Sequence, residues 1–124
     1  MDTSRIRKYL IACARRRTNQ LVTYQEVNQD CELGLDFNIS HDRDVIGEVL
    51  GEISQEEHEN GRPLLSAIVV KKGADNNVGK GFYDLAEGLG YGDGRKLQRE
   101  SFLETEQQNV IEFWQNASNY QQYL

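Results

Sequence analysis

At 124 residues, with 38% hydrophobic and 27% charged side chains, the chain fits one domain over 1–124 that buries a core without disulfides or metals. No stretch reaches the roughly 18 apolar residues of a membrane span, and MDTSRIRKYLIACARRR has too short an apolar centre, and too many arginines behind it, for a signal peptide. The net charge of −6 is uneven: residues 1–17 hold six of the 14 basic residues and one acid, leaving eight bases against 19 acids elsewhere, and an acidic body disfavours non-specific nucleic-acid binding.

In chain order, Thr3 or Ser4 can cap a first helix whose apolar positions Ile6, Tyr9, Leu10, Cys13 and Ala14 follow helical spacing. It should end near Arg15 to Arg17, where positive charge suits a helix C-terminus. Leu21 and Val22 look extended, and Thr23 with Glu26 has the form of a capping box opening a short second helix, Tyr24 to Asn28. CELGLDFNISHD reads as loop. Asp42 is placed to cap a third helix, about 43–60, with Val45, Ile46, Val49, Leu50 and Ile53 on one face and Gly61 closing it. After Pro63, the apolar run 64–70 suits a buried strand. A Gly/Lys loop follows, then a short helix in FYDLAEGLG, a turn, and a last helix over about 97–116 with Leu103, Val110, Phe113 and Trp114 inward. With no export signal, the chain is expected in the cytoplasm with both cysteines reduced, Cys13 in the core and Cys31 as a loop thiol.

The chemistry-bearing patterns are few. VVKKGADNNVGKGF has the order strand, glycine-rich loop, lysine, helix, but Gly79 falls six positions after Gly73 where a phosphate-binding loop needs five. Gly81 also stands where the magnesium-binding hydroxyl belongs. His41 and His58 lie 17 residues apart, outside any metal-spaced cluster. Asp44, Glu48, Glu52 and Glu56 form an i, i+4 acidic stripe that reads as a solvated helix face. Cys13 sits on a predicted buried face and Cys31 has no basic partner nearby in sequence, so neither reads as a nucleophile. The expectation is a protein that is not an enzyme, with no cofactor and no metal.

The order of elements carries a resemblance. VTYQEV (22–27), DVIGEVLG (44–51) and RPLLSAIVV (62–70) resemble the helix-turn-helix opening, the recognition helix and the acceptor-cysteine strand of the O6-alkylguanine-DNA alkyltransferases and alkyltransferase-like proteins. The similarity spans about 21–81. It implies an α+β, winged-helix-like fold: a helical core, a small β-hairpin wing at 71–81 and an added C-terminal helix. It also sets Tyr24 at a position that touches DNA in that family, while the residue reads equally well as a half-buried aromatic at a helix start. Ser66 occupies the acceptor-cysteine position and Ala67 to Val69 replace the histidine and arginine after it, which excludes alkyl transfer. The arginine that the family inserts into the duplex falls on Asp44, with Arg43 about 100° of helix away.

Two functions follow. The first is a non-catalytic module that binds a protein partner, with Asp44, Glu48, Glu52 and Glu56 as the contact stripe. Such a module suits an accessory, immunity or regulatory factor of bacterial defence or competition, with a basic partner. The alternative is duplex DNA binding by Tyr24, Arg43, the wing lysines Lys71, Lys72 and Lys80, and the N-terminal Arg15 and Arg16. Against it, each acid close to a phosphate costs on the order of 1 kcal/mol in a wet interface.

Overall fold

Asp2, not Thr3 or Ser4, caps the first helix. In the computed structural model, which describes residues 1–73 and 78–124, the Asp2 carboxylate accepts a hydrogen bond from the Arg5 amide at 3.2 Å, and both hydroxyl residues lie within α1, Thr3–Ala14. Ile6, Leu10, Ile11, Cys13 and Ala14 are buried. Half-buried Tyr9 instead sends its hydroxyl to Asp30 at 2.5 Å.

A short strand, β1 (Val22–Thr23), runs straight into α2 (Tyr24–Asp30). The capping box forms as its spacing predicts: the Thr23 hydroxyl accepts from the Glu26 amide at 3.1 Å, and the Thr23 amide donates to the Glu26 carboxylate at 3.3 Å. Cys31, expected in an open loop, is buried at the C-cap of α2. The loop beyond it turns back because Asn28 holds both backbone groups of Leu35, donating to its carbonyl at 2.8 Å and accepting from its amide at 3.0 Å.

α3 spans Ser40–Glu59 and starts at Ile39 without a side-chain cap; Asp42 lies in its first turn and accepts from the Asp36 amide at 2.8 Å. Its inward face carries the expected Ile46, Val49, Leu50 and Ile53, and also Ser54 and Glu57. Gly61 follows the helix with φ +72, the left-handed conformation that favours glycine at a helix end.

The strand expected over 64–70 is mostly something else. Leu65–Ile68 form a 3₁₀ turn, and only β2 (Val69–Val70) is extended. All of these residues are buried, and side chains from the flanking helices take the place of a ladder. Leu64 N–H donates to Glu106 at 2.9 Å, Ser66 N–H to Ser54 at 3.0 Å, and Ala67 C=O accepts from Gln107 at 3.0 Å. β2 pairs in parallel with β1, Val22 opposite Val69 and Thr23 opposite Val70. The expected β-hairpin wing is therefore not what the described residues form: β2 spends its pairing on β1, and the segment after it ends on a helix. The middle of that loop, 74–77, lies outside the described residues.

α4 covers Lys80–Gly88. The last helix, expected over about 97–116, is split into α5 (Gly94–Arg99) and α6 (Phe102–Gln115), and a further helix, α7 (Ala117–Tyr123), follows its expected end. Glu100 is extended at φ −93, ψ 174, which breaks the first junction. Asn116 breaks the second, leaving α6 extended and capping α7 by accepting from the Asn119 amide at 3.0 Å. The architecture is α+β in a plain sense, mostly helical with a two-stranded parallel sheet at its centre. One buried cluster runs from Ile6 through Val69 to Trp114. Among the described residues no helix is long and apolar enough to cross a membrane.

Candidate functional site

The start of α2, the first half of α3 and the segments on either side of residues 74–77 enclose a groove of about 800 Å³. Tyr24, Phe37 and Ile46 give it apolar surface, and Gly47, Gly79 and Gly81 give it bare backbone. Five charged side chains line it: Arg43, Asp44 and Glu48 from α3, and Lys71 and Lys72 from the exit of β2. Parallel pairing of β2 with β1 is what delivers the two lysines beside Tyr24, since β1 runs directly into α2.

Tyr24 is half-buried and its hydroxyl lies beside Gly79. A Cβ added at Gly79 would lie 3.8 Å from both the Tyr24 hydroxyl and Lys71 Cε. Burial pushes the Tyr24 phenol up from its ordinary value, and a hydrogen bond with the Gly79 backbone works the other way. Arg43 is anchored by donating from Nη1 to the Phe37 carbonyl at 2.6 Å. Among the described residues, none of the five charged groups forms an ion pair within 4.0 Å; the three ion pairs present are Arg7–Glu57, Arg62–Glu57 and Lys96–Glu100.

The groove gathers four of the residues that the sequence offered to nucleic acid, Tyr24, Arg43, Lys71 and Lys72. Lys80, Arg15 and Arg16 lie elsewhere. Lys80 opens α4 and borders a separate depression with Asp84, Glu87 and Arg95. Arg15 donates to the Trp114 carbonyl at 2.7 Å and stacks 3.9 Å over the Tyr120 ring, so its charge is engaged by the C-terminal helices. Arg16 reaches the Asn19 carbonyl at 3.5 Å. The acidic stripe divides as well. Asp44 and Glu48 line the groove, whereas Glu52 and Glu56 border a different cleft with Thr3, Arg7, Asn60, Arg62 and Tyr123. A stripe at i, i+4 drifts slowly around a helix, and α3 is long enough for its two ends to face different neighbours.

Behind that second cleft lies a cluster that no sequence spacing could reveal. Glu57 is fully buried and takes Arg7 on one oxygen at 2.5 Å and Arg62 on the other at 2.6 Å. Arg7 also donates to the Tyr123 carbonyl at 2.7 Å and faces the Trp114 ring at 5.4 Å. These contacts are structural: they hold α1, α3 and α7 together.

Ser66, which the sequence resemblance sets at an acceptor-cysteine position, is buried and accepts from the Ser54 hydroxyl at 2.7 Å. Cys13 and Cys31 are free and buried, and burial pushes both thiols up, the reverse of what a reactive thiolate needs. His58 Nδ1 lies 3.1 Å from the Tyr91 hydroxyl, and His41 is exposed. Among the described residues no three His, Cys, Asp or Glu side chains come together as a metal site. Sequence reasoning missed Phe37, Ile46 and the open backbone at Gly79 as groove residues. Phe37, an apolar residue shortly before a helix, was the one available signal.

No protein-family model, curated protein or solved structure matches the chain.

Proposed function

We propose that this chain is a non-catalytic interaction module that binds a protein partner through the groove between α2, α3 and the residues Lys71, Lys72, Gly79 and Gly81. The observation that carries the reading is the groove's mixture of Tyr24, Phe37 and Ile46 with charges of both signs. A protein surface offers apolar anchors and both charges, whereas a nucleic-acid backbone offers one charge only and would meet Asp44 and Glu48 at close range. Two of the N-terminal arginines add little to a phosphate contact, because Arg7 is committed to Glu57 and Arg15 to α6 and α7. The engaged Ser66 hydroxyl supports the absence of a nucleophile. A role as an accessory or regulatory factor acting on a larger partner in bacterial defence or competition fits such a module.

A second reading, duplex binding, is favoured by the convergence of Tyr24, Arg43, Lys71 and Lys72 on the same groove. One experiment separates the two. The tagged full chain is used for affinity capture from its source cells, alongside a variant with Asp44→Lys and Glu48→Lys, while anisotropy follows a labelled duplex at low ionic strength, about 20 mM, where phosphate contacts are strongest. A specific protein captured by the wild type and lost from the variant, with no duplex shift, supports protein binding. Duplex binding that falls steeply with salt and is lost in Lys71→Glu/Lys72→Glu overturns it.

A further inference from the structure

The groove's charges also describe its occupant. Asp44 and Glu48 stand one helical turn apart on α3, a like-charge arrangement that disfavours the free protein, and Lys71 and Lys72 are adjacent in sequence. Acids and bases line the same groove and yet no ion pair joins them. A surface built only for water would gain from pairing them; held apart, each sign is available to a group from outside. Arg43, also on α3, is held at the Phe37 carbonyl, and between Asp44 and Glu48 the helix is bare. Gly47 is exposed in mid-helix, and a Cβ added there would meet no atom within 4 Å, so no internal contact requires glycine at this position. A glycine in a helix interior costs stability relative to alanine, and what it provides here is close access to the α3 backbone.

We propose that the groove receives a polypeptide segment with an apolar or aromatic anchor residue between an acidic and a basic one. The anchor rests on Tyr24, Phe37 and Ile46, the acid points to Lys71 and Lys72, and the base points to Asp44 and Glu48. The inference rests on the protein-binding reading above and adds the polarity of the bound segment. Acids from α3 and lysines from the exit of β2 give the groove two unlike elements, which fixes the direction in which a segment lies as a purely apolar groove cannot.

The test is selection of random dodecamer peptides, displayed on phage, against the full chain, followed by titration of the best synthetic peptide. The expected winners share an apolar or aromatic residue flanked by an acid on one side and a base on the other. Selection against Lys71→Glu/Lys72→Glu should lose the acid from the consensus, and selection against Asp44→Lys/Glu48→Lys should lose the base. The wild-type winner should bind each charge variant, and Gly47→Gln, about ten-fold more weakly or worse, with unchanged circular dichroism showing that each variant is folded. Peptides without charge polarity, or indifferent to the swaps, overturn the inference and leave the protein-binding reading standing. No enrichment, with duplex binding in its place, overturns both. A chain that self-associates through this face, and is made monomeric by either swap, has a second copy as its occupant, which also overturns the proposal.

Discussion

Replacing Gly47 by alanine should make the protein more stable while harming its groove. Gly47 lies well inside α3, its backbone is right-handed helical, and an added methyl meets nothing within 4 Å. The change therefore brings the helix-propensity gain alone, about 0.8 kcal/mol, with no cost in clashes. For a domain of this length that corresponds to roughly 3 °C in Tm. At about 1.5–2 kcal/mol per molar urea, the urea midpoint should rise by roughly 0.4–0.5 M. Gly51, one turn further along with equally open space, should behave the same way, and the double variant should gain about 1.6 kcal/mol if the sites act independently. Equilibrium urea unfolding followed by far-UV circular dichroism measures it. A fall in midpoint for Gly47→Ala would refute the argument, since it would mean the missing side chain serves an internal contact.

Three further perturbations probe the scaffold. Glu57→Gln leaves Arg7 and Arg62 without their shared countercharge and should cost about 3 kcal/mol, toward the low end for a broken buried pair because both guanidinia retain contact with aromatic rings; a loss under about 1 kcal/mol in urea unfolding contradicts that reading. Ser54→Ala removes the acceptor of the buried Ser66 amide and should destabilise by about 1–3 kcal/mol, while Ser54→Thr should recover part of it if the site admits the methyl. Burial is the leading cause that pushes the phenols of Tyr9, Tyr24, Tyr83 and Tyr91, and the thiols of Cys13 and Cys31, above their ordinary 10.0 and 9.0. Raised values favour the neutral forms in the fold, so this stability is fully present below the unfolded-state values and is lost as pH rises past them. The urea midpoint should hold steady toward neutral pH and fall above about pH 9, less steeply in Tyr9→Phe; a flat profile through that range would count against the burial argument.

What the sequence made legible was local. The Thr23–Glu26 capping box, the apolar face of α3 and the glycine after it depend on residues within one or two turns of each other, and all form as their spacing indicates. The reading failed where distant partners decide. An apolar run such as 64–70 suits a buried strand and a buried turn equally, and here Ser54, Glu106 and Gln107 satisfy its backbone from other elements. The continuous helix at 97–116 failed for a different reason: the backbone is extended at Glu100 between α5 and α6, a break that the helical spacing of the apolar residues does not signal, although the expected end at Asn116 holds. Tyr24, Arg43, Lys71 and Lys72 were each identifiable as surface groups, but their meeting depends on the parallel β1–β2 pairing, which spacing does not encode. The Arg7–Glu57–Arg62 cluster was invisible because its members lie 50 and five residues apart and look like ordinary surface charges.

That cluster ties the extremities of the chain to each other. Tyr123 gives its carbonyl to Arg7 and its ring to Arg62, so any fluctuation that lifts α7 strips two guanidinia of partners in the same event. The tail should not fray on its own. Amide exchange in α1 and α7 is expected to report a common opening, and a protease that trims the last few residues should be detected by spectroscopy of the first helix.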